Sequence, residues 1–241
     1  MMKANIFKLF LMITCILFLT SCVTRITNEV ENDENQVVDT FEEFKEVVSK
    51  EPENVTYQMN VITTAFIGNT SETQEVDITV KLDDNRTLIE GKLYKYEGMA
   101  YAEFVDGKYY AWSYVNNRWV SDGIISSEQY QDSTQYPLIE VNEGDFEYKD
   151  GLWVANTENI ESELLKALGE SIVGDGNNVD IDIENYIITI EEDHIAKMEM
   201  EFSMNLSSGG YSVGFEFSYE IIFEDYGNTE VERPKNLPTQ K

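Results

Sequence analysis

Between Ile195 and Phe223 the chain alternates apolar and polar side chains almost without a break. Met198, Met200, Phe202, Met204 and Leu206 share one phase, with Glu, Ser and Asn between them. After a glycine-rich turn, Ser207-Ser208-Gly209-Gly210, the residues Val213, Phe215, Phe217, Tyr219, Ile221 and Phe223 do the same. A period of two sends neighbouring side chains to opposite faces of a strand, so such runs call for antiparallel strands with one face buried and one wet. A helix would spread the same apolar residues around its whole circumference.

The same period recurs upstream. Val55, Tyr57, Met59 and Val61 alternate with Thr56, Gln58 and Asn60; Val76, Ile78, Val80 and Leu82 alternate with Asp77, Thr79 and Lys81. Asp83-Asp84-Asn85 turns the chain into a strand over Thr87 to Glu97. Asp106-Gly107, Asn116-Asn117 and Asp150-Gly151 are hairpin signals, because Asn, Asp and Gly tolerate the positive φ that two-residue turns require. Tyr186 to Ile190 is a further strand. Two helices interrupt this meander. One opens on the capping box Thr40 and Glu43, places Phe41, Phe44, Val47 and Val48 on one face, and ends near Pro52. The other, NTENIESELLKALGE, offers Thr157 as cap and Gly169 as stop, with Ile160, Leu164, Leu165 and Leu168 on one side. A short helix is expected around SSEQY, and His194 reads as a turn residue between two strands.

The N-terminus has a different logic. Lys3 and Lys8 precede an apolar run from Leu9 to Leu19, which falls short of the roughly 20 residues a spanning helix needs. Residues 1–21 therefore read as a secretion signal. Leu19-Thr20-Ser21-Cys22 resembles the bacterial lipobox, which implies a diacylglyceryl group on Cys22. Two acyl chains hold a protein on a membrane far better than one, at about 0.8 kcal/mol per buried methylene. Cys15 leaves with the signal, so no disulfide remains and the fold rests on its core. Residues 22–39 are polar and acidic and read as a flexible tether, and residues 40–241 as a single domain.

Charge and residue supply exclude several chemistries. With 46 acidic against 17 basic residues the surface repels a polyanion, which rules out nucleic acid as a partner. One histidine and no free cysteine cannot assemble a zinc site. GDGNNVDIDIEN departs from a calcium loop, since Val179, Asp180 and Tyr186 stand where an oxygen ligand, a glycine and a glutamate are needed from Asp175 onward. Gly210-Tyr-Ser-Val-Gly214 fits the pattern of a serine-hydrolase nucleophile elbow. However, a strand and not a helix follows Ser212, and His194 precedes the serine where the elbow's triad order needs it after. Carboxylates are too numerous for any pair to single out a glycosidase. The expectation is a protein that is not an enzyme and needs neither metal nor cofactor.

What remains is a sheet with more large apolar side chains than two short helices readily cover. Phe104, Trp112, Trp119, Met198, Met200, Phe202, Met204, Phe215 and Phe217 are the candidate ligand-binding residues, if this surplus lines a cavity. It is equally read as an ordinary filled core, which methionine packs as readily as it lines an adaptable binding surface.

The order helix, long antiparallel meander, helix and closing strands behind a lipobox resembles the LolA/LppX-like superfamily of envelope lipoproteins and lipoprotein carriers. The tail FEFSYEIIFEDYGNTEVERP carries most of the likeness: a last alternating strand, a turn at Asp225-Tyr226-Gly227, a short strand over Thr229 to Val231, and Pro234. The resemblance implies an α+β fold, a strongly curved antiparallel sheet (a half-barrel) closed by a few helices over an apolar cavity that in some members holds acyl chains. LolA itself is a soluble carrier, whereas this chain bears an anchor signal. The expected function is that of a lipid-anchored protein on the extracytoplasmic side of a bacterial membrane, binding a lipid or acyl chain. The alternative is an interaction or sensory module with a filled core that meets an envelope protein partner.

Overall fold

The computed structural model describes residues 38–50, 54–93, 96–127, 129–130, 141–160, 178–208 and 211–238. Cys22, the leader, most of the tether and most of the second helix lie outside them. Helix α1 spans Phe41–Ser49. The strands are β1 (Val55–Ile67), β2 (Thr70–Asp83), β3 (Arg86–Leu93), β4 (Tyr96–Val105), β5 (Lys108–Val115), β6 (Arg118–Ile125), β7 (Phe146–Lys149), β8 (Leu152–Ala155), β9 (Asn178–Glu191), β10 (His194–Ser208) and β11 (Tyr211–Glu224). They form one open antiparallel sheet in the order β6-β5-β4-β3-β2-β1-β11-β10-β9-β8-β7. The architecture is a large antiparallel sheet that does not close on itself, with few helices, consistent with the half-barrel expected.

Two meanders make the sheet. The first runs outward from β1 to β6 and the second returns inward from β7 to β11. Their seam is the pair β1 and β11, in register from Thr56 opposite Glu224 to Ile67 opposite Val213. The hairpins at Asp106-Gly107, Asn116-Asn117 and Asp150-Gly151 have positive φ at both turn residues, which is why those residue types occur there.

The elements differ from the expectation in several places. Thr87 to Glu97 is two strands, since Leu93 pairs with Tyr96 across a reversal; no Gly or Asn in Tyr94-Lys95 marks it. His194 is the first residue of β10 and pairs with Glu191, so the turn is Glu192-Asp193. The second helix begins at Thr157, with Ile160 N–H donating to the Asn156 carbonyl, which moves the cap one residue upstream. Ser127, Gln129 and Tyr130 are helical, as SSEQY suggests.

One face of the sheet, the inner face, packs under α1. Thr40 closes the helix as its capping box predicts, accepting from the Glu43 N–H at 3.4 Å and donating to Glu43 Oε2 at 2.7 Å. The buried side of α1 is Phe44, Val47 and Val48. Phe44 stacks on Trp153 with ring centroids 4.2 Å apart and lies 5.1 Å from Phe146. Trp153 Nε1 in turn donates to the Val38 carbonyl at 3.1 Å, so the segment before the helix is fixed as well.

The other, outer face is polar over β10, β11 and β1 but apolar over β4 and β5, where the C-terminal segment covers it. Beyond β11 the chain turns at Asp225 to Asn228 and runs as a strap. Thr229 N–H donates to Asn54 Oδ1 at 2.7 Å, Val231 N–H to Asp83 Oδ2 at 3.1 Å, and Arg86 Nη1 to the Val231 carbonyl at 3.2 Å. Thr229 to Val231 is therefore not the short strand expected: side chains, and not a neighbouring strand, take up its backbone groups. Val231 is buried against Tyr101 and Trp112, and Trp112 Nε1 donates to the Pro238 carbonyl at 3.2 Å. Arg233 grips Glu103 with two hydrogen bonds, 2.9 and 3.0 Å, while the Tyr101 hydroxyl donates to the same carboxylate at 3.0 Å.

Burial by itself would raise the Glu103 pKa. Hydrogen bonds from Arg233 and Tyr101, with the charges of Arg233 and Arg86, outweigh it and hold the carboxyl below the usual range. A depressed folded-state pKa contributes stability above the unfolded value, near 4.3, which is lost as the pH falls through the folded one. Because Arg233 is half exposed, Glu103→Gln should lower stability at pH 7 by only about 1 kcal/mol. Urea titrations of both proteins should show this gap closing as the medium is acidified below the ordinary glutamate range. In contrast, Phe44→Ala should cost about 3–5 kcal/mol at any pH, with an unchanged urea m-value.

Candidate ligand-binding face

Residues directly opposite on paired strands share a face, so the register lays out the inner face row by row. One row reads Tyr186, Met200, Tyr219, Val61 and Val76 across β9, β10, β11, β1 and β2. The next reads Ile183, Phe202, Phe217, Thr63 and Gln74. A register shift beside Glu184 lets both Tyr186 and Ile183 face inward although their spacing is odd. Four aromatic rings run along this face: Phe202 and Phe217 stack at 4.7 Å, and Phe215 and Tyr219 flank Phe217 at 6.0 and 6.3 Å.

The nine candidate residues fall in three places. Met198, Met200, Phe202, Met204, Phe215 and Phe217 lie together in the main core on the inner face, all buried. Trp112 and Trp119 are on the outer face: Trp112 is opposite Tyr101 under the strap, and Trp119 is opposite Tyr114, 5.3 Å away edge-on. Phe104 is on the inner face but five strands from β10, 39% exposed, with its ring 4.7 Å from Tyr109. The structure does not bring these three sets together.

Alternation did not single out four polar residues among the apolar inner rows. Thr63, Gln74, Tyr186 and Tyr219 are 5%, 7%, 2% and 6% exposed. Among the described residues none of their side chains has a hydrogen-bond partner. Burial alone drives the pKa of both tyrosines up. The signal available in the sequence was phase: Thr63 stands in step with Val61 and Ala65, and Gln74 with Val76 and Ile78.

Ser212 lies in β11 opposite Ser207, with the hydroxyls 3.4 Å apart. His194 starts β10, its ring 4.3 Å from Tyr226 and its Nδ1 3.5 Å from Asp193. Ser207 and His194 are at opposite ends of one strand, about 40 Å apart at the usual rise. Serine and histidine are thus separated by the length of the sheet. Asp180, Asp182 and Glu184 sit in β9, alternating with the buried Ile181 and Ile183; the GDG before them lies outside the described residues. Among the described residues no group of three or more metal-ligating side chains occurs, and no helix is long and apolar enough to cross a membrane.

The sequence matches no protein-family model and no curated protein. Among solved structures the similarities are remote. An outer membrane lipoprotein-sorting protein domain from Vibrio parahaemolyticus is 9% identical over 81% of this chain and 94% of its own, with a TM-score of 0.29. A LolA superfamily protein from Nitrosomonas europaea is 8% identical over 81% and 93%, with a TM-score of 0.22. A DUF1329 family protein from Desulfovibrio piger is 7% identical over 79% and 91%, also at 0.22.

A buried hydroxyl or amide without a partner carries its desolvation cost uncompensated, about 1–3 kcal/mol. Tyr219→Phe and Gln74→Leu should therefore each stabilise the ligand-free protein, by about 1 kcal/mol in chemical denaturation. Tyr101→Phe, which removes a hydroxyl bonded to Glu103, should destabilise it by a similar amount.

Proposed function

We propose that this chain is a non-enzymatic, lipid-anchored protein of the bacterial cell envelope that holds a hydrophobic ligand, a lipid or acyl chain, between the inner face of its sheet and the covering helices. The observation that carries this reading is the composition of rows β9 to β2. Of three buried methionines, Met200 and Met204 lie opposite Tyr219 and Phe215 and Met198 opposite Ile221, with polar groups that have no hydrogen-bond partner among the described residues set among them. Methionine adapts to irregular guests, and apolar faces carrying a few placed polar groups are what ligand sites are made of. Binding would be driven by area: at about 25 cal/mol per Å2, an acyl chain taken out of water gains several kcal/mol without a charged contact. The lipobox-like Leu19 to Cys22 supports attachment to the membrane, with the domain on the extracytoplasmic side.

Native mass spectrometry of residues 23–241, followed by organic extraction, tests the ligand. Bound lipid in a defined ratio is expected, and Met200→Trp, which fills the interior, should abolish it. A clean apo mass with no uptake from offered lipids would overturn the reading in favour of a filled-core module that meets a protein partner through its acidic outer surface. The anchor is tested separately. Cys22→Ala should abolish incorporation of labelled palmitate and release the protein from membranes.

A further inference from the structure

The four buried polar groups narrow the chemistry of that ligand, in an inference that rests on the reading just given. Thr63 and Gln74 are adjacent across β1 and β2, and Thr63 is adjacent to Phe217, one pair along β11 from Tyr219. Tyr219 is separated from Tyr186 only by Met200, about 10 Å across two strand spacings. Thr63, Gln74 and Tyr219 therefore occupy neighbouring positions in the middle of the face, and Tyr186 stands two strands beyond Tyr219. Between them they present hydroxyls that donate or accept and an amide that does both. Buried polar groups in native proteins almost always have partners. Four without one among the described residues, on one face of one sheet, mark a place where a ligand's polar group would find partners.

Charge says what kind of partner. Lys81, Arg86, Lys92 and Lys197 belong to these central strands, and the register puts all four on the outer face: Lys81 opposite Thr56, Lys92 opposite Asp77, Arg86 opposite Glu103, and Lys197 opposite Ile222. Lys197 is engaged there by Glu199 and Glu220 at 2.9 and 2.7 Å. The inner face has one cation among the described residues, Arg118, on β6, four strands beyond Gln74 and about 19 Å away at the usual strand spacing. A carboxylate or phosphate placed among the buried rows would be an unpaired buried charge, which is strongly disfavoured. The −29 net charge of the chain acts in the same direction at long range. We infer that Thr63, Gln74 and Tyr219 form a subsite for the uncharged polar group of an amphiphile, a hydroxyl or ester of the acylglycerol kind, and that it discriminates against anionic lipids.

The test uses the mature full-length chain with Cys22→Ser, so that no anchor lipid competes. It is loaded with the uncharged dye Nile red and challenged at pH 8 with three ligands of one acyl chain: mono-oleoylglycerol, oleate and lyso-oleoyl-phosphatidylglycerol, each below its micelle concentration. The acylglycerol should displace the dye at a concentration about tenfold lower than either anion, and the double variant Tyr219→Phe with Gln74→Leu should erase most of that preference. The variant's urea midpoint serves as its folding control. Equal displacement by all three ligands, a preference for an anion, or a preference that survives the double variant would overturn the subsite while leaving a hydrophobic binding face intact. No dye uptake and no displacement by any ligand would overturn the ligand reading itself, and this inference with it.

Discussion

The pairing of β1 with β11 is the contact on which everything else depends. It joins residues more than 140 positions apart, and without it the chain is two meanders, each with an apolar face and no shared core. Closing so long a loop is entropically unfavourable, but the cost grows only slowly with length. Twelve opposed pairs form once it closes, and the inner sides of them match large apolar residues: Tyr57 with Phe223, Met59 with Ile221, Val61 with Tyr219. The seam also sets where the candidate site can be, because it makes β10 and β11 neighbours of β1 and β2. The methionine and phenylalanine rows of the last strands thereby meet the threonine and glutamine of the first.

The two faces are closed by different means. On the inner side, α1 contributes a narrow apolar stripe, and its stacking of Phe44 on Trp153 fixes it over the β7 to β9 end of the sheet. On the outer side, the strap beyond β11 covers Tyr101 and Trp112, and polar contacts with Asn54, Asp83, Arg86 and Glu103 place it. The strap crosses the strands and does not join them, so its backbone must find side-chain partners. That explains why these acids and this arginine point to the same side of β2, β3 and β4.

Strand existence was legible because the period-two pattern is strict in β10 and β11 and the turn residues are chemically marked. Face was less legible. Alternation states which residues share a side of one strand, but Trp112 and Phe104 are both large and aromatic, and only pairing shows that they lie on opposite faces. Where β4 and β5 carry large apolar side chains on both faces, no wet phase is left to orient by. The β3 to β4 reversal escaped because no Gly or Asn marks it, and the first half of β9 because Asp180, Asp182 and Glu184 look like a loop until the isoleucines between them are seen to be buried. The polar members of the site were hidden for a related reason: a single Thr or Gln in an apolar phase reads as a break in the pattern, and its meaning emerges only when several breaks prove to be neighbours.

Those breaks also bear on which reading of the core is physically economical. A filled core gains nothing from the Tyr219 hydroxyl or the Gln74 amide, since phenylalanine and leucine occupy the same strand positions with the same shape and no desolvation cost. Left without partners, as they are among the described residues, these groups carry a desolvation cost that apolar side chains would not. On the ligand reading, a guest that supplied the missing hydrogen bonds would remove that penalty, as part of a stabilisation of RT ln(1 + [L]/Kd). Stability given up in the empty state and recovered in the bound state is characteristic of a binding site, where function and stability compete for the same residues. The outer face provides the contrast within one molecule: Tyr101, equally buried and also a tyrosine, has its hydroxyl bonded to Glu103. The chain pairs its buried hydroxyl there, where the strap supplies the cover, and leaves Tyr186 and Tyr219 unpaired among the described residues of the face that the ligand reading assigns to a guest.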